Sequence, residues 1–401
     1  MNSSVGVVEA PTRQLWIALS LLWLSGMGLR LTLLAVPPVI PLIHAELGLS
    51  ETEIGTLGTL PSLLLAAAAI PGSLLIARFG ATAALVTGLL FVGFGSAARG
   101  AADDIVALYL TTMITSAGVA IMQPAMPPLV RAWVPSRVPF ATALYTNGLL
   151  VGETLAVALT LPFVLPLAGG SWRMSFVLWG VPVIATAILV MVFAPRSMAP
   201  GTSAPRRWWP NWRDKQLWRL ALCLGGINTC YFGTNTFLPD YLHALGRADL
   251  ISPTLTALNF SQLPASFLML WLAPLLVRKH WAYAGIGFLN LLCVIGIVVS
   301  SNEWIMLWAG LLGFFGAVGL VLLLALPPLL SAPEDVHRMA SAMFTISYPC
   351  AVLMSIIGGY AWDVTRTPWV AFAPIGFSAL MLALLSLRIE FRSEVALQSA
   401  A

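Results

Sequence analysis

Apolar residues run through this chain in blocks of about 20 or more, the length that spans a bilayer as a helix, with short polar breaks between them. Twelve blocks can be drawn, near 15–42, 52–77, 81–99, 104–130, 139–165, 174–194, 216–241, 252–277, 281–300, 303–330, 335–362 and 367–388. The pattern predicts an all-α membrane protein with twelve transmembrane helices. Composition agrees, because the 401 residues are 59% hydrophobic and only 9% charged, whereas a globular surface needs about a quarter of its residues charged.

The few charges orient the chain. Lys and Arg accumulate on the cytoplasmic side of membrane proteins, and a cytoplasmic N-terminus collects Arg13, Arg78, Arg131, Arg137, Arg196, Arg206, Arg207, Arg213, Lys215, Arg219, Arg278, Lys279, Arg338, Arg388 and Arg392 there. The opposite side receives only Arg99, Arg173, Arg247 and Arg366. Both termini are therefore expected in the cytoplasm, with the protein in the plasma (inner) membrane. The opening MNSSVGVVEAPTRQ lacks the basic start and cleavage site of a secretory signal, so the first block is expected to remain. The net charge of +4 is dispersed among apolar blocks, which excludes a nucleic-acid arm. Cys223, Cys230, Cys293 and Cys350 all fall inside apolar blocks without CxxC or nearby His, so neither a metal site nor a disulfide framework is expected. No cofactor is expected either.

The longest polar stretch, from Ala194 to Gln216, is rich in Pro, Arg and Trp and reads as a cytoplasmic linker over 195–215. It divides the chain into a six-helix half at 1–194 and another at 216–401. The halves repeat each other. Pro127-Pro128-Leu129 recurs as Pro327-Pro328-Leu329, and the ATALYT that begins at Ala141 recurs as the ASAMFT that begins at Ala340. A weaker match pairs IPLIHAELG, from Ile40, with LPDYLHALG, from Leu238. Parallel repeats of this kind place a solute site at the midplane between halves that rock, which is alternating access.

On these residues the chain resembles the major facilitator superfamily over essentially its whole length. GMGLRLTLLAVPPVIPLI, from Gly26, and AGVAIMQPAMPPLVRAWVP, from Ala117, are similar to the cyanate and 2-nitroimidazole permease branch. Gly26, Met27 and Arg30 match that branch's Gly-Met-x-x-Arg context. The resemblance implies two pseudo-symmetric six-helix bundles and secondary transport. The superfamily's loop motif between helices 2 and 3 is degraded, with Ala77 where an acid is usual before RFG at 78–80. Drug antiporter and nitrate porter signatures in helices 5, 4, 2 and 8 are missing.

Away from the helix ends two charges remain, Arg30 and Glu153. A charge facing lipid at mid-bilayer costs about 2.5–3.5 kcal/mol or more, so each should face a cavity or a partner. Both lie about 21–23 Å along predicted helices that run in the same direction, and so share a depth. One reading is a structural ion pair. Buried ion pairs rarely improve on hydrophobic packing, however, and the second reading gives both residues work. The planar, permanently charged guanidinium of Arg30 suits a small planar anion, and Glu153 can carry a proton.

Other polar residues can complete a cavity: Gln123 in helix 4, Asn147 in helix 5, Asn228 and Tyr231 in helix 7, Asn259 and Gln262 in helix 8, and Tyr348 in helix 11. Each is equally accounted for by an interhelical hydrogen bond. Pro37, Pro38, Pro124, Pro127, Pro128, Pro327 and Pro328 lack backbone donors and are candidate helix breaks or gating points. The glycine rows Gly148/Gly152 and Gly313/Gly316/Gly319 suit close packing, and Trp23 and Trp362 could stack on a planar ligand.

The expected function is proton-linked transport of a small planar anion of the cyanate, carboxylate or nitroheterocycle type. The expected partners are that solute, protons and the lipid bilayer, with the chain acting as a monomer. A multidrug or nitroheterocycle exporter is the alternative, and a non-transporting sensor a weaker one. Intramembrane enzymes are disfavoured, since HExxH and GxSxG are missing and His44, His243, His280 and His337 sit at predicted helix ends or loops.

Overall fold

The computed structural model describes residues 12–49, 51–195, 207–300 and 302–391, and among these there is helix but no strand. Before the linker come α1 (Thr12–Gly28), α2 (Glu51–Phe79), α3 (Ala81–Arg99), α4 (Ile105–Trp133), α5 (Val138–Leu159) and α6 (Trp172–Phe193). After it come α7 (Lys215–Ala244), α8 (Ile251–Phe260, continued by Gln262–Leu276), α9 (His280–Val299), α10 (Trp304–Leu324), α11 (Val336–Thr365) and α12 (Ala373–Ser386). Among the described residues, eleven segments are long and apolar enough to cross a membrane. The exception is α7, which has the length but carries Asn228, Thr229, Thr234 and Asn235 in mid-course. Thr229 and Thr234 are buried, so much of that polarity turns inward, away from lipid.

Local chemistry sets the helix ends. Asp104 accepts from the Ala107 amide at 2.7 Å to open α4, and Asp214 accepts from the Gln216 amide at 2.8 Å to open α7, each capping an otherwise orphaned donor. The two weakly matching repeats end alike: Gly48 and Gly246 follow their helices with φ of 62° and 71°, a conformation that favours glycine.

The first predicted helix, 15–42, is not continuous. It runs to Gly28, turns at Leu29 and Arg30, resumes as the short helix Leu31–Leu34, passes through a 3₁₀ turn at Pro37–Val39 and ends as Ile40–Leu47. Gly26 and Gly28 weaken the helix ahead of the turn, and the amides of Leu29 and Arg30 reach back only three residues, to Gly26 and Met27. Pro37 and Pro38 supply the second interruption because they have no N–H. The Pro327-Pro328 pair likewise follows a break at Ala325. By contrast, Pro124, Pro127 and Pro128 all lie inside the unbroken α4.

Close backbone approach joins α1 to α5. A Cβ on Gly26 would stand 2.1 Å from the Tyr145 carbonyl oxygen, one on Gly148 2.3 Å from that of Trp23, and one on Gly152 2.6 Å from that of Met27. Arg30 follows this seam at the break after α1, and Glu153 lies on α5.

The two faces of the bundle differ. Near the linker one continuous apolar core includes residues of both halves, among them Ile76, Trp133 and Val138 with Leu220, Met269 and Met343. At the opposite face the cores separate, one holding Val39, Ile43, Leu108 and Phe176 and another holding Phe237, Leu250, Ile305 and Ala371. The halves are thus sealed together at the linker face. The linker contributes: the Trp208 carbonyl accepts from Ser73 Oγ at 2.8 Å, and the Trp209 carbonyl accepts from Arg338 Nε at 2.8 Å. Arg131 Nη1 donates to the Ser331 carbonyl across the same face. Arg196, Arg206 and Arg392 lie outside the described residues.

One charge is placed differently from its reading in the sequence. Arg99, expected in a loop opposite the linker, is 0% exposed. Its guanidinium folds back among α3, α4 and the segment after Arg30, donating to Thr112 Oγ1 and to the Thr32 carbonyl.

Candidate solute cavity

A small cavity of about 50 Å³ lies between the halves. Arg30 enters from the α1 break, Gln123 from α4, Glu153 from α5, Asn228 and Tyr231 from α7, Gln262 from α8 and Tyr348 from α11. Residues far apart in the chain are thereby brought to one site, and Arg30 and Glu153 share it as their common depth implied.

They do not form an ion pair with each other among the described residues. Arg30 Nε is buried without a hydrogen-bond partner. Its polar surroundings are Tyr348, Glu153 and Tyr231, and its guanidinium carbon stands 6.0 Å from the centre of the Phe232 ring. The turn at Leu29 and Arg30 places this side chain at the break between two helical segments, where it lines the cavity.

Glu153 is engaged elsewhere. The Tyr231 hydroxyl stands 2.8 Å from Glu153 Oε1 and 2.7 Å from Asn259 Oδ1. Asn259 in turn spends its Nδ2 on Asn235 Oδ1 at 3.0 Å and on the Leu255 carbonyl at 2.8 Å. The result is a polar chain, Glu153 to Tyr231 to Asn259 to Asn235, leading from the cavity into the second half.

Gln123 and Tyr348 close the site between halves, with Gln123 Nε2 donating to the Tyr348 hydroxyl at 2.8 Å. Asn228 donates to Ser347 Oγ at 3.2 Å and remains at the cavity wall. Two candidates stand back from it. Asn147 accepts from Trp23 Nε1 and donates to Ser266 Oγ, each at 2.9 Å, so its amide ties α1, α5 and α8 together. Asn259 lies behind Tyr231. Trp23 is occupied by Asn147, and Trp362 packs on the core opposite the linker, so neither ring faces the cavity. Gly148 and Gly152 pack against α1 and Gly313 against α8, where a Cβ would stand 1.9 Å from the Leu258 carbonyl oxygen, whereas a Cβ on Gly316 would meet nothing within 4 Å; Gly313 and Gly316 both line the cavity.

Sequence reasoning missed the aromatic wall. Phe232 and Phe344 flank Tyr348, with ring centres 6.4 and 6.3 Å from it and the Phe344 pair stacked. A usable signal was the i, i+4 spacing of Phe344 and Tyr348 on one helix face.

Residues 19–308 match the Major Facilitator Superfamily. The cyanate transport protein of Escherichia coli is 25% identical over 86% of this chain and 92% of its own length. The 2-nitroimidazole transporter of the same organism is 23% identical over 90% and 91%. The crystal structure of the superfamily transporter FucP superposes with a TM-score of 0.74 at 14% identity, covering 94% of this chain and 100% of that one, which supports the shared twelve-helix fold.

Proposed function

Because the chain belongs to the Major Facilitator Superfamily, a family of transporters, we propose that it moves a small planar anion together with protons by alternating access. The solute is of the cyanate, carboxylate or nitroheterocycle kind. The protein acts as a monomer in the plasma (inner) membrane, its termini in the cytoplasm, with 1–194 and 216–401 rocking about the cavity and 195–215 linking them. The observation that carries the reading is the buried Arg30 Nε with no partner. An unpaired buried donor on a permanent cation is costly, and an anion in the cavity relieves that cost. A guanidinium fork and an aromatic wall favour a flat anion.

Hydrogen-bond counting supports Glu153 as the proton carrier. A tyrosine has one proton to give. With Asn259 Nδ2 committed to two acceptors, Asn259 Oδ1 can accept the Tyr231 proton. The same hydroxyl is placed to donate to Glu153 Oε1 at 2.8 Å, so carboxylate and amide oxygen compete for one tyrosine proton, and a proton arriving on Glu153 would leave that donor to Asn259. On release Glu153 becomes an anion beside Arg30 and competes with the solute for the guanidinium. Proton and anion thus favour each other's binding, as symport requires.

Counterflow in proteoliposomes with labelled cyanate, benzoate and 2-nitroimidazole, with and without a pH gradient, tests this. Saturable exchange of an anion, with accumulation driven by the proton gradient, is expected. Uptake of a neutral hydrophobic drug and of no anion would overturn the reading.

A further inference from the structure

Arg99 is fully buried, and among the described residues it has no ion pair. Its guanidinium carbon lies 5.7 Å from the centre of the buried Phe176 ring, its Nη2 has no partner, and Nη1 donates to the Thr32 carbonyl at 2.9 Å. Keeping an uncompensated cation in an apolar interior is expensive, so what it touches matters.

The Thr32 carbonyl is available for a reason written in the sequence. In a continuous helix it would accept from the Val36 amide. Pro37 has no N–H for the Leu33 carbonyl, and the Val36 amide bonds to that carbonyl instead, at 3.4 Å. The Thr32 carbonyl is left without its helical donor, two residues beyond Arg30, and Arg99 fills the vacancy from α3.

We propose that Arg99 is a positioning residue for Arg30: by holding the Thr32 carbonyl it fixes the broken segment Leu31–Leu34 and hence the direction in which Arg30 points into the cavity. The inference rests on the reading of Arg30 as the anion anchor. A guanidinium is suited to the task because it stays charged and presents donors in a rigid plane, here shared between the carbonyl and Thr112 Oγ1 at 3.2 Å.

The test compares the purified full-length protein with Arg99→Met, Arg99→Lys and Phe176→Leu. Phe176→Leu removes the aromatic ring beside Arg99 while leaving both of its hydrogen bonds, and serves as a control for general loss of packing. Hydrogen exchange over residues 31–36 reads the hold on the segment directly. Affinity for labelled benzoate and cyanate reads its consequence at Arg30. Exchange at least tenfold faster in Arg99→Met, partly restored in Arg99→Lys, with at least a tenfold loss of affinity that Phe176→Leu does not share, is expected. Unchanged exchange in Arg99→Met overturns the proposal, and so does a loss of affinity equal to that of Phe176→Leu at matched thermal stability. If the native protein binds none of the anions, the anion reading fails on its own. The exchange rates still decide whether Arg99 holds the segment.

Discussion

Glu153 and Tyr231 meet across the two halves, oxygen to oxygen at 2.8 Å, while Arg30 stands in the same cavity with no ion pair among the described residues. The acid is therefore tied to a helix of the opposite half, so a change in its protonation acts on the contact between halves. Replacing Tyr231 with Phe removes that tie and leaves the cavity walls in place. Counterflow should persist in Tyr231→Phe, while accumulation driven by a pH gradient should fall at least tenfold. Glu153→Gln, which mimics the protonated form, should give the same split. Undiminished accumulation in either variant would remove Glu153 from coupling.

Arg30 is exposed to a sharper test. Arg30→Lys keeps the charge but replaces a planar fork by a compact, more strongly hydrated ammonium. A planar anion should bind at least tenfold more weakly to Arg30→Lys, about 1.4 kcal/mol, and Arg30→Gln should lose saturable binding. Isothermal titration with benzoate and cyanate reads both. Equal affinity in native protein and Arg30→Lys would reduce Arg30 to a point charge and remove the argument from planarity.

The glycines divide by position. A Cβ at Gly148 would stand 2.3 Å from a backbone oxygen of α1, and overpacking of this kind costs about 1–3 kcal/mol. Gly148→Ala should lower thermal stability measurably. Gly316 has open space around it and lines the cavity. Gly316→Ala should fold with native stability, yet bind benzoate less tightly than native protein does while cyanate binding changes little. Thermal unfolding together with binding of the two anions separates the cases, and a stability loss in Gly316→Ala equal to that in Gly148→Ala would refute the distinction.

Much of this site is legible in the sequence because polarity is costly in an apolar block. Arg30, Glu153, Gln123, Asn228, Tyr231, Gln262 and Tyr348 could be singled out on that ground, and all line one cavity. The same logic cannot separate residues that face a cavity from residues that face a neighbouring helix, which is why Asn147 resembles the others until its amide is seen spent on Trp23 and Ser266. Phe232 and Phe344 escape notice because an aromatic ring in an apolar block carries no cost. Arg99 escapes because position at a helix end looks like exposure, and only the chain's return at Thr32 shows otherwise. The break at Arg30 itself depends on adding up weak preferences of Gly26 and Gly28, which tertiary packing could have overridden.

The linker-face seal makes the last prediction. Trp208 and Trp209 offer successive carbonyls to Ser73 on α2 and Arg338 on α11, so this strap joins one helix from each half. Each such hydrogen bond contributes about 1 kcal/mol net. Losing both in Ser73→Ala/Arg338→Met should shift the equilibrium between closed and open linker faces by about 2 kcal/mol, roughly thirtyfold in population. Spin labels attached through Arg137→Cys and Glu334→Cys, both exposed on that face, can report the distance across it by pulsed electron resonance. Protein with the native strap should give one dominant short distance. The strap variant should add a longer population, and anion counterflow should become faster if opening at this face limits the rate. An unchanged distance distribution would mean that the apolar core around Trp133, Met269 and Met343 seals the face without help from the linker.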